Sequence, residues 1–171
     1  MKELIIGGAR SGKSAFAERL CLVSGLRPIY LATGEARDAE MAARIAQHQA
    51  RRSAPWRSVE APLALTEALE THADVHAIVL VDCLTLWLSN LIEANHEPGT
   101  EVARLIATLP TLAGPVVFVS NEVGLGIVPD NPLARRFRDE AGRLNQRLAE
   151  AVDRVLFIAA GLPLALKGVA A

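Results

Sequence analysis

A glycine-rich segment near the N-terminus has the residue spacing of a phosphate-binding loop. Residues 7–14 read Gly-Gly-Ala-Arg-Ser-Gly-Lys-Ser and match G-x-x-x-x-G-K-[ST], with an apolar run before them and a helical pattern after them. Backbone N–H groups and the helix N-terminus would hold phosphate, Lys13 would reach the β- and γ-phosphates, and Ser14 would offer its hydroxyl to Mg²⁺. Without nucleotide, we expect Lys13 to face solvent. The segment predicts a GTP or ATP site formed by Gly7, Gly8, Ala9, Arg10, Ser11, Gly12, Lys13 and Ser14.

Two carboxylates follow buried apolar runs and are candidates for the same site. Asp82 closes Ile78-Val79-Leu80-Val81, a position typical of the acidic residue that holds Mg²⁺ beside a phosphate-binding loop. Asp82 could also cap the helix that follows it, and the two roles are compatible. Glu122 lies just past another apolar run and is a candidate general base or Mg²⁺ ligand, with Gly124 and Gly126 permitting a loop that closes over substrate. A solvated glutamate in a surface loop is the alternative.

His48 is a candidate nucleophile. It lies in a helical pattern where Arg44 and Arg51 share its face. A histidine among arginines can attack an activated phosphate while the cations neutralise its oxygens. An exposed histidine on a basic helix without a catalytic role is the alternative.

Short apolar runs alternate with helical patterns along the whole chain, which predicts an α/β fold with a mostly parallel sheet covered on both faces. No linker or repeat interrupts residues 1–171, so we expect one domain. Ligands of such sheets gather at the carboxyl ends of the strands. The predicted strands are Glu3–Ile6, Pro28–Ala32, Ala77–Val81, Val116–Ser120, Val155–Ala159 and Pro163–Lys167, and the predicted helices are Lys13–Ser24, Ala36–Arg51, Leu63–Thr71, Leu84–Ala94, Glu101–Leu112 and Leu133–Asp153.

Composition excludes several other classes of protein. The balance of 18 basic against 19 acidic residues gives no electrostatic case for nucleic acid or an acidic membrane. Two cysteines support neither a disulfide framework nor a zinc site, and no apolar run reaches transmembrane length. We expect a cytoplasmic protein without a signal peptide. The predicted helix Leu84–Ala94 is apolar over most of its circumference, so it is buried by its own sheet or also by a second subunit.

Taken together, these features resemble one family, the bifunctional adenosylcobinamide kinases / adenosylcobinamide-phosphate guanylyltransferases of cobalamin biosynthesis. The combination of the phosphate-binding loop with Asn121-Glu122-Val123-Gly124-Leu125-Gly126 is highly specific. The matching segments are 7–14, 30–33, 40–45 with His48, 56–57 with Glu60, 82–85, 120–129, 134–139 and 142–146.

The resemblance implies a RecA-like P-loop NTPase fold, assembly as a homotrimer, and two reactions. The first phosphorylates the aminopropanol hydroxyl of adenosylcobinamide with ATP or GTP, and the second transfers GMP from GTP to adenosylcobinamide phosphate. It also implies that His48 carries GMP covalently. Besides the phosphate-binding loop, the nucleotide contacts it implies are Ala32, Thr33, Gly34, Gln49, Ala50, Arg51, Arg52, Glu60 and Asp82.

Two rival classes stay open at this point. One is a P-loop kinase that acts on another small alcohol, with His48 a surface residue. The other is a non-catalytic or motor-type RecA-like module that only binds or hydrolyses the nucleotide.

Overall fold

The computed structural model describes residues 1–35 and 54–169. The helix predicted over Ala36–Arg51 therefore lies outside the described residues. No helix in the described ranges is long and apolar enough to cross a bilayer. In chain order the elements are β1 (Lys2–Gly7), α1 (Lys13–Val23), β2 (Arg27–Ala32), β3 (Arg57–Glu60), α2 (Leu65–His72), β4 (Ala77–Asp82), α3 (Leu84–Glu93), α4 (Pro98–Thr108), a 3₁₀ turn (Leu109–Thr111), β5 (Val116–Asn121), α5 (Pro132–Ala151), β6 (Arg154–Ala159) and β7 (Leu162–Lys167).

The strands form one seven-stranded sheet in the order β3-β2-β4-β5-β1-β6-β7. Every neighbouring pair is parallel except β6 and β7, which form an antiparallel hairpin at one edge. The register aligns Gly7 with Asn121 and Ala32 with Asp82. The predicted α/β class with a mostly parallel sheet is confirmed, and the carboxyl ends of β1, β2, β4 and β5 meet at one edge.

Consecutive residues of a strand point to opposite faces of the sheet, and here both sets are apolar. Helices therefore cover both faces. Leu4 packs with Trp87 and Phe118 on one face, whereas Ile5 packs with Phe16 on the other. These side chains are buried, which explains the nearly continuous Val, Ile and Leu composition of the strands.

Helix α3 is covered within a single chain. Leu84, Trp87, Leu88 and Leu91 are all fully buried, and the indole N–H of Trp87 donates to the carbonyl of Leu63 at 3.0 Å. The apolar circumference of this helix therefore reflects burial inside one subunit, and it supplies no argument for an oligomer.

The structure adds one strand to the sequence prediction and moves the helix predicted over Glu101–Leu112 to Pro98–Thr108. Strand β3 was not predicted, because its residues Arg57–Glu60 are largely exposed at the sheet edge and contain no apolar run. Helix α4 begins at Pro98 rather than Glu101, since proline is well suited to the first turn of a helix, where its missing N–H has no partner to lose.

Candidate nucleotide and metal site

The phosphate-binding loop joins β1 to α1 and is folded tightly by its own backbone. The N–H of Ser11 donates to the carbonyl of Gly8 at 3.3 Å, and the N–H of Gly161 donates to the carbonyl of Ser11 at 2.8 Å. Arg10 and Gly12 adopt left-handed backbone conformations, with φ of 56° and 94°. The loop therefore has the turn that the glycine-rich sequence predicts, and it is supported by the hairpin between β6 and β7.

Glycine is required at the start of this loop. A Cβ on Gly7 would lie 2.6 Å from the carbonyl oxygen of Ile158 and 2.6 Å from Oγ of Ser11. Such distances are far inside van der Waals contact, so β1 could not keep its position against β6. A Cβ on Gly8 would meet no other atom within 4 Å, so that side of the loop is open.

Lys13 does not face solvent as expected. Its side chain is only 8% exposed, and Nζ donates to the carbonyl of Gly8 at 3.1 Å. A buried ammonium group requires an acceptor, and the loop's own carbonyl provides one. The amino group therefore lies inside the loop, on the side where the loop would surround a phosphate.

Ser14 and Asp82 come together from different elements. The hydroxyl of Ser14, in the first turn of α1, donates to Oδ1 of Asp82 at 3.5 Å. Oδ2 of the same carboxylate accepts from the phenol of Tyr30 at 2.7 Å. The alternative role of Asp82 as a helix cap is wrong, because the N-cap of α3 is Cys83 and no side chain caps that helix. The carboxylate instead accepts hydrogen bonds from the two hydroxyl groups, those of Ser14 and Tyr30.

The donor set at this point fits Mg²⁺. A serine hydroxyl and a carboxylate oxygen are hard oxygen ligands of the kind that Mg²⁺ prefers, and this ion commonly takes one or two protein ligands together with phosphate oxygens and water. Within the described ranges, no cluster of three or more His, Cys, Asp or Glu residues could hold a metal by itself. The arrangement thus fits an ion shared with a bound nucleotide.

Thr33 is buried behind the sheet edge. It is fully inaccessible, and its Oγ1 accepts from the N–H of Cys83 and donates to the carbonyl of Cys83, both at 2.8 Å. The carbonyl of Thr33 accepts from the side-chain amide of Asn90 at 2.7 Å. The threonine side chain is therefore committed to the backbone that follows Asp82.

Other residues implied by the family resemblance lie at the same edge. Glu60 is exposed and pairs in register with Ala32, and the N–H of Ala61 donates to the carbonyl of Ala32 at 2.8 Å. Gly34 is partly exposed. The structure thus brings Ala32, Gly34 and Glu60 to the carboxyl edge of β2 and β3.

Glu122 begins the segment after β5 and is tied to the phosphate-binding loop. Its N–H donates to the carbonyl of Gly7 at 3.1 Å. Its carboxylate turns back and accepts from the N–H of Gly124. The side chain is half-buried, and the segment beyond it exposes a run of apolar residues, including Leu125, Ile127 and Val128.

A polar network beside Asp82 was missed by sequence reasoning. The side-chain amide of Asn121 donates to Oγ1 of Thr85 at 2.7 Å, and Thr85 Oγ1 lies 2.8 Å from Sγ of Cys83. Burial, followed by the charge of Asp82, raises the pKa of the Cys83 thiol. Tyr30 was also missed as a partner of Asp82, since an aromatic residue inside an apolar strand carries no signal of its polar contact.

His48, Gln49, Ala50, Arg51 and Arg52 lie outside the described residues. The nearest described part of the chain on their C-terminal side contains Trp56, which packs edge-on against Tyr30 with ring centroids 6.2 Å apart. The described site therefore comprises the phosphate-binding loop, Ser14, Asp82 and the neighbouring strand ends.

Solved structures with a similar fold share this architecture. The RadB recombinase aligns with a TM-score of 0.53 at 17% identity, covering 91% of this chain and 73% of its own. A protein of Pyrococcus horikoshii aligns with a TM-score of 0.54 at 12% identity, covering 99% of this chain and 87% of its own. At these identities the likeness establishes the fold alone, which is that of a RecA-like P-loop NTPase.

Relatives of known name match nearly the whole chain. The bifunctional adenosylcobalamin biosynthesis protein CobP of Pseudomonas aeruginosa is 52% identical over 170 residues, which is 98% of both chains. The bifunctional adenosylcobalamin biosynthesis proteins CobU of Salmonella typhimurium and Escherichia coli are 40% and 38% identical, covering 98% of this chain and all of theirs. Residues 3–166 match the family model described as cobinamide kinase / cobinamide phosphate guanyltransferase. With a phosphate-binding loop, a metal-fitting Ser14–Asp82 pair and this match over almost its full length, the chain belongs to the cobinamide kinase / cobinamide phosphate guanyltransferase family.

Proposed function

We propose that this protein phosphorylates adenosylcobinamide with ATP or GTP and then transfers GMP from GTP to the product, giving adenosylcobinamide-GDP. The observation that carries the proposal is the meeting of Lys13, Ser14 and Asp82 at the phosphate-binding loop in a chain of this family. A kinase limited to another alcohol and a non-catalytic nucleotide-binding module are less well supported, because the named relatives are bifunctional biosynthetic proteins.

In the kinase step, the substrate hydroxyl oxygen would bond to the γ-phosphorus while the bond from that phosphorus to the β–γ bridging oxygen breaks. Lys13 would leave the carbonyl of Gly8 and pair with the β- and γ-phosphates, and the loop N–H groups would hold the phosphate oxygens. Mg²⁺ held by Ser14 and Asp82 would neutralise charge on those oxygens. Glu122 is the proposed base for the hydroxyl proton, because its backbone is tied to the first residue of the loop.

In the guanylyl step, His48 is the proposed nucleophile. A ring nitrogen would bond to the α-phosphorus of GTP as pyrophosphate leaves, and a phosphate oxygen of adenosylcobinamide phosphate would then displace the histidine. This division is reasonable because a single loop geometry aligns either the γ- or the α-phosphate for in-line attack, and not both. We propose that Ala32, Thr33, Gly34, Gln49, Ala50, Arg51, Arg52 and Glu60 help to hold the guanosine. Thr33 would do so indirectly, by supporting its neighbours, since it is fully buried and its hydroxyl is bonded to Cys83.

We also propose that the protein is a cytoplasmic homotrimer. The trimer is implied by the family resemblance, and the apolar side chains available to it are outside α3. Leu125, Ile127, Val128 and Leu133 are between 62% and 98% exposed, and patches of this kind commonly mark contact surfaces. Light scattering at micromolar concentration measures the mass, and a monomeric mass would contradict the trimer.

Labelled GTP distinguishes the proposed activity from its two rivals. With adenosylcobinamide present, γ-labelled GTP should label the acceptor, and α-labelled GTP should label first the protein and then the acceptor. Labelling of the acceptor by the γ-label alone would indicate a simple kinase. Release of inorganic phosphate without transfer would indicate a nucleotide-binding module.

A further inference from the structure

Strand β2 holds the carboxylate of Asp82 directly. The phenol of Tyr30 donates to Oδ2 at 2.7 Å, whereas Oδ1 is oriented to the hydroxyl of Ser14, 3.5 Å away. Tyr30 is only 4% exposed, and Trp56 packs edge-on against its ring, so the phenol has little freedom to move. Oδ2 is thus hydrogen-bonded inside the protein, and Oδ1 lies on the side of the phosphate-binding loop.

The same strand end also holds the backbone of Asp82. Thr33 binds Cys83, the residue that follows Asp82. The Thr33 hydroxyl accepts from the N–H of Cys83 and donates to the carbonyl of Cys83. The N–H of Thr33 donates to the carbonyl oxygen of Asp82 at 3.5 Å. Asn90 fixes Thr33 in turn by donating to its carbonyl at 2.7 Å.

These contacts restrain both ends of the aspartate. A carboxylate at the end of a strand can rotate about two side-chain torsions, and each rotation would move Oδ1 away from Ser14. Hydrogen bonds from residues behind a metal ligand fix its orientation, and their loss typically weakens metal binding or activity by about 10–100-fold.

We propose that Tyr30 and Thr33 are positioning residues that set the metal-binding orientation of Asp82. This inference rests on the proposed function, in which Asp82 and Ser14 hold the Mg²⁺ of the bound nucleotide. Neither residue touches the metal: Tyr30 acts through Oδ2 of Asp82, and Thr33 acts through the peptide of Cys83.

The test measures metal binding rather than turnover. Mn²⁺, which replaces Mg²⁺ and has an electron paramagnetic resonance signal, is titrated into the full-length protein with a non-hydrolysable GTP analogue. The variants are Tyr30→Phe, which removes only the phenol oxygen, Thr33→Val, which removes the hydroxyl at nearly constant volume, and Thr33→Ser, which restores it. Binding of a fluorescent GTP analogue in EDTA is measured in parallel.

Two further variants serve as references. Thr66→Val is the matched control for Thr33→Val, because the Thr66 hydroxyl is equally buried and has no hydrogen-bond partner among the described residues. Asp82→Asn removes the charge of the metal ligand itself. Circular dichroism and thermal unfolding show which variants are folded.

We expect Tyr30→Phe and Thr33→Val each to weaken Mn²⁺ binding about tenfold, while Thr33→Ser and Thr66→Val bind Mn²⁺ as the wild type does. Nucleotide binding in EDTA should be unchanged in Tyr30→Phe and Thr66→Val. Wild-type Mn²⁺ affinity in Tyr30→Phe and Thr33→Val, with a weakened Asp82→Asn, would overturn the positioning role alone. Unchanged affinity in Asp82→Asn would overturn the metal site. Two results would show a merely structural role and overturn the inference. One is an equal loss of metal-free nucleotide binding in Tyr30→Phe. The other is unfolding of Tyr30→Phe together with failure of Thr33→Ser to restore Mn²⁺ affinity.

Discussion

The backbone N–H of Glu122 donates to the carbonyl of Gly7 at 3.1 Å, so the segment after β5 is fastened to the first residue of the phosphate-binding loop. β5 and β1 are adjacent and parallel, and the pairing of Asn121 with Gly7 brings the two segments together. Because this contact places Glu122 next to the phosphate-binding loop, we propose it as the base for the acceptor hydroxyl.

Glu122→Gln tests this role. The amide oxygen can still accept from the N–H of Gly124, so the segment should keep its shape. We expect kcat of the kinase step to fall by about 100-fold or more, the usual contribution of a general base. The KM for the nucleotide should change little. Wild-type kcat would mean that Glu122 is only a surface residue.

Lys13→Met removes the ammonium group while keeping an unbranched side chain that can occupy the same buried position. We expect kinase turnover to fall by at least about 100-fold, as for loss of one charge-stabilising donor in a transition state. The melting temperature should stay close to that of the wild type, because the variant removes the cost of burying a charge as well as the bond to Gly8. Near-normal phosphorylation of adenosylcobinamide would refute the role of the loop.

His48→Asn keeps a polar side chain but cannot form a bond to phosphorus through a ring nitrogen. We expect no covalent labelling by α-labelled GTP and no adenosylcobinamide-GDP, whereas phosphorylation of adenosylcobinamide persists because Lys13, Ser14 and Asp82 are unchanged. The wild-type label should be acid-labile and base-stable, as expected of a phosphoramidate. Stoichiometric labelling of the variant would exclude His48 and direct attention to His72, His76 and His96.

Gly7→Ala and Gly8→Ala form a matched pair for the packing of the loop. A Cβ on Gly7 meets the carbonyl of Ile158 at 2.6 Å, whereas a Cβ on Gly8 meets nothing within 4 Å. We expect Gly7→Ala to lower the free energy of unfolding by about 1–3 kcal/mol, as for other overpacked positions, and Gly8→Ala to leave it nearly unchanged. Urea unfolding measures both values. Equal stability of the two variants would show that β1 can shift against β6.

Cys21 makes stability depend on pH under alkaline conditions. Burial, with smaller contributions from the charges of Glu3 and Glu18, raises the pKa of this thiol from its ordinary 9.0 to about 12. Well below pH 9 the thiol is protonated in both folded and unfolded chains. Between these pKa values only the unfolded chain loses the proton, so the free energy of unfolding falls as pH rises, by up to about 1.4 kcal/mol per pH unit.

Urea unfolding at several pH values between about 8.5 and 10.5, roughly the range in which the unfolded thiol titrates, measures this slope. Cys21→Ala should give a shallower decline than the wild type over the same range. Parallel declines would mean that the folded thiol titrates normally.

Sequence reasoning was most successful where a pattern is local. The phosphate-binding loop and the buried strands follow from spacing and continuous apolar runs, and the structure confirms both. It was less successful where a residue's role depends on a partner distant in the chain. Tyr30 and Asp82 are 52 positions apart, and only the pairing of β2 with β4 brings them together. The prediction that Lys13 is exposed was likewise wrong. Its hydrogen-bond acceptor is a backbone carbonyl, and the residue types in the sequence do not show which carbonyl a side chain will contact.

The position of β1 in the sheet has a consequence for synthesis on the ribosome. Its neighbours are β5 and β6, contributed by residues 116–121 and 154–159, so β1 is translated well before either of its hydrogen-bonded partners. The phosphate-binding loop is therefore made early and takes its final form late. We therefore expect GTP to stabilise the chain only after β5 and β6 have been translated and paired with β1.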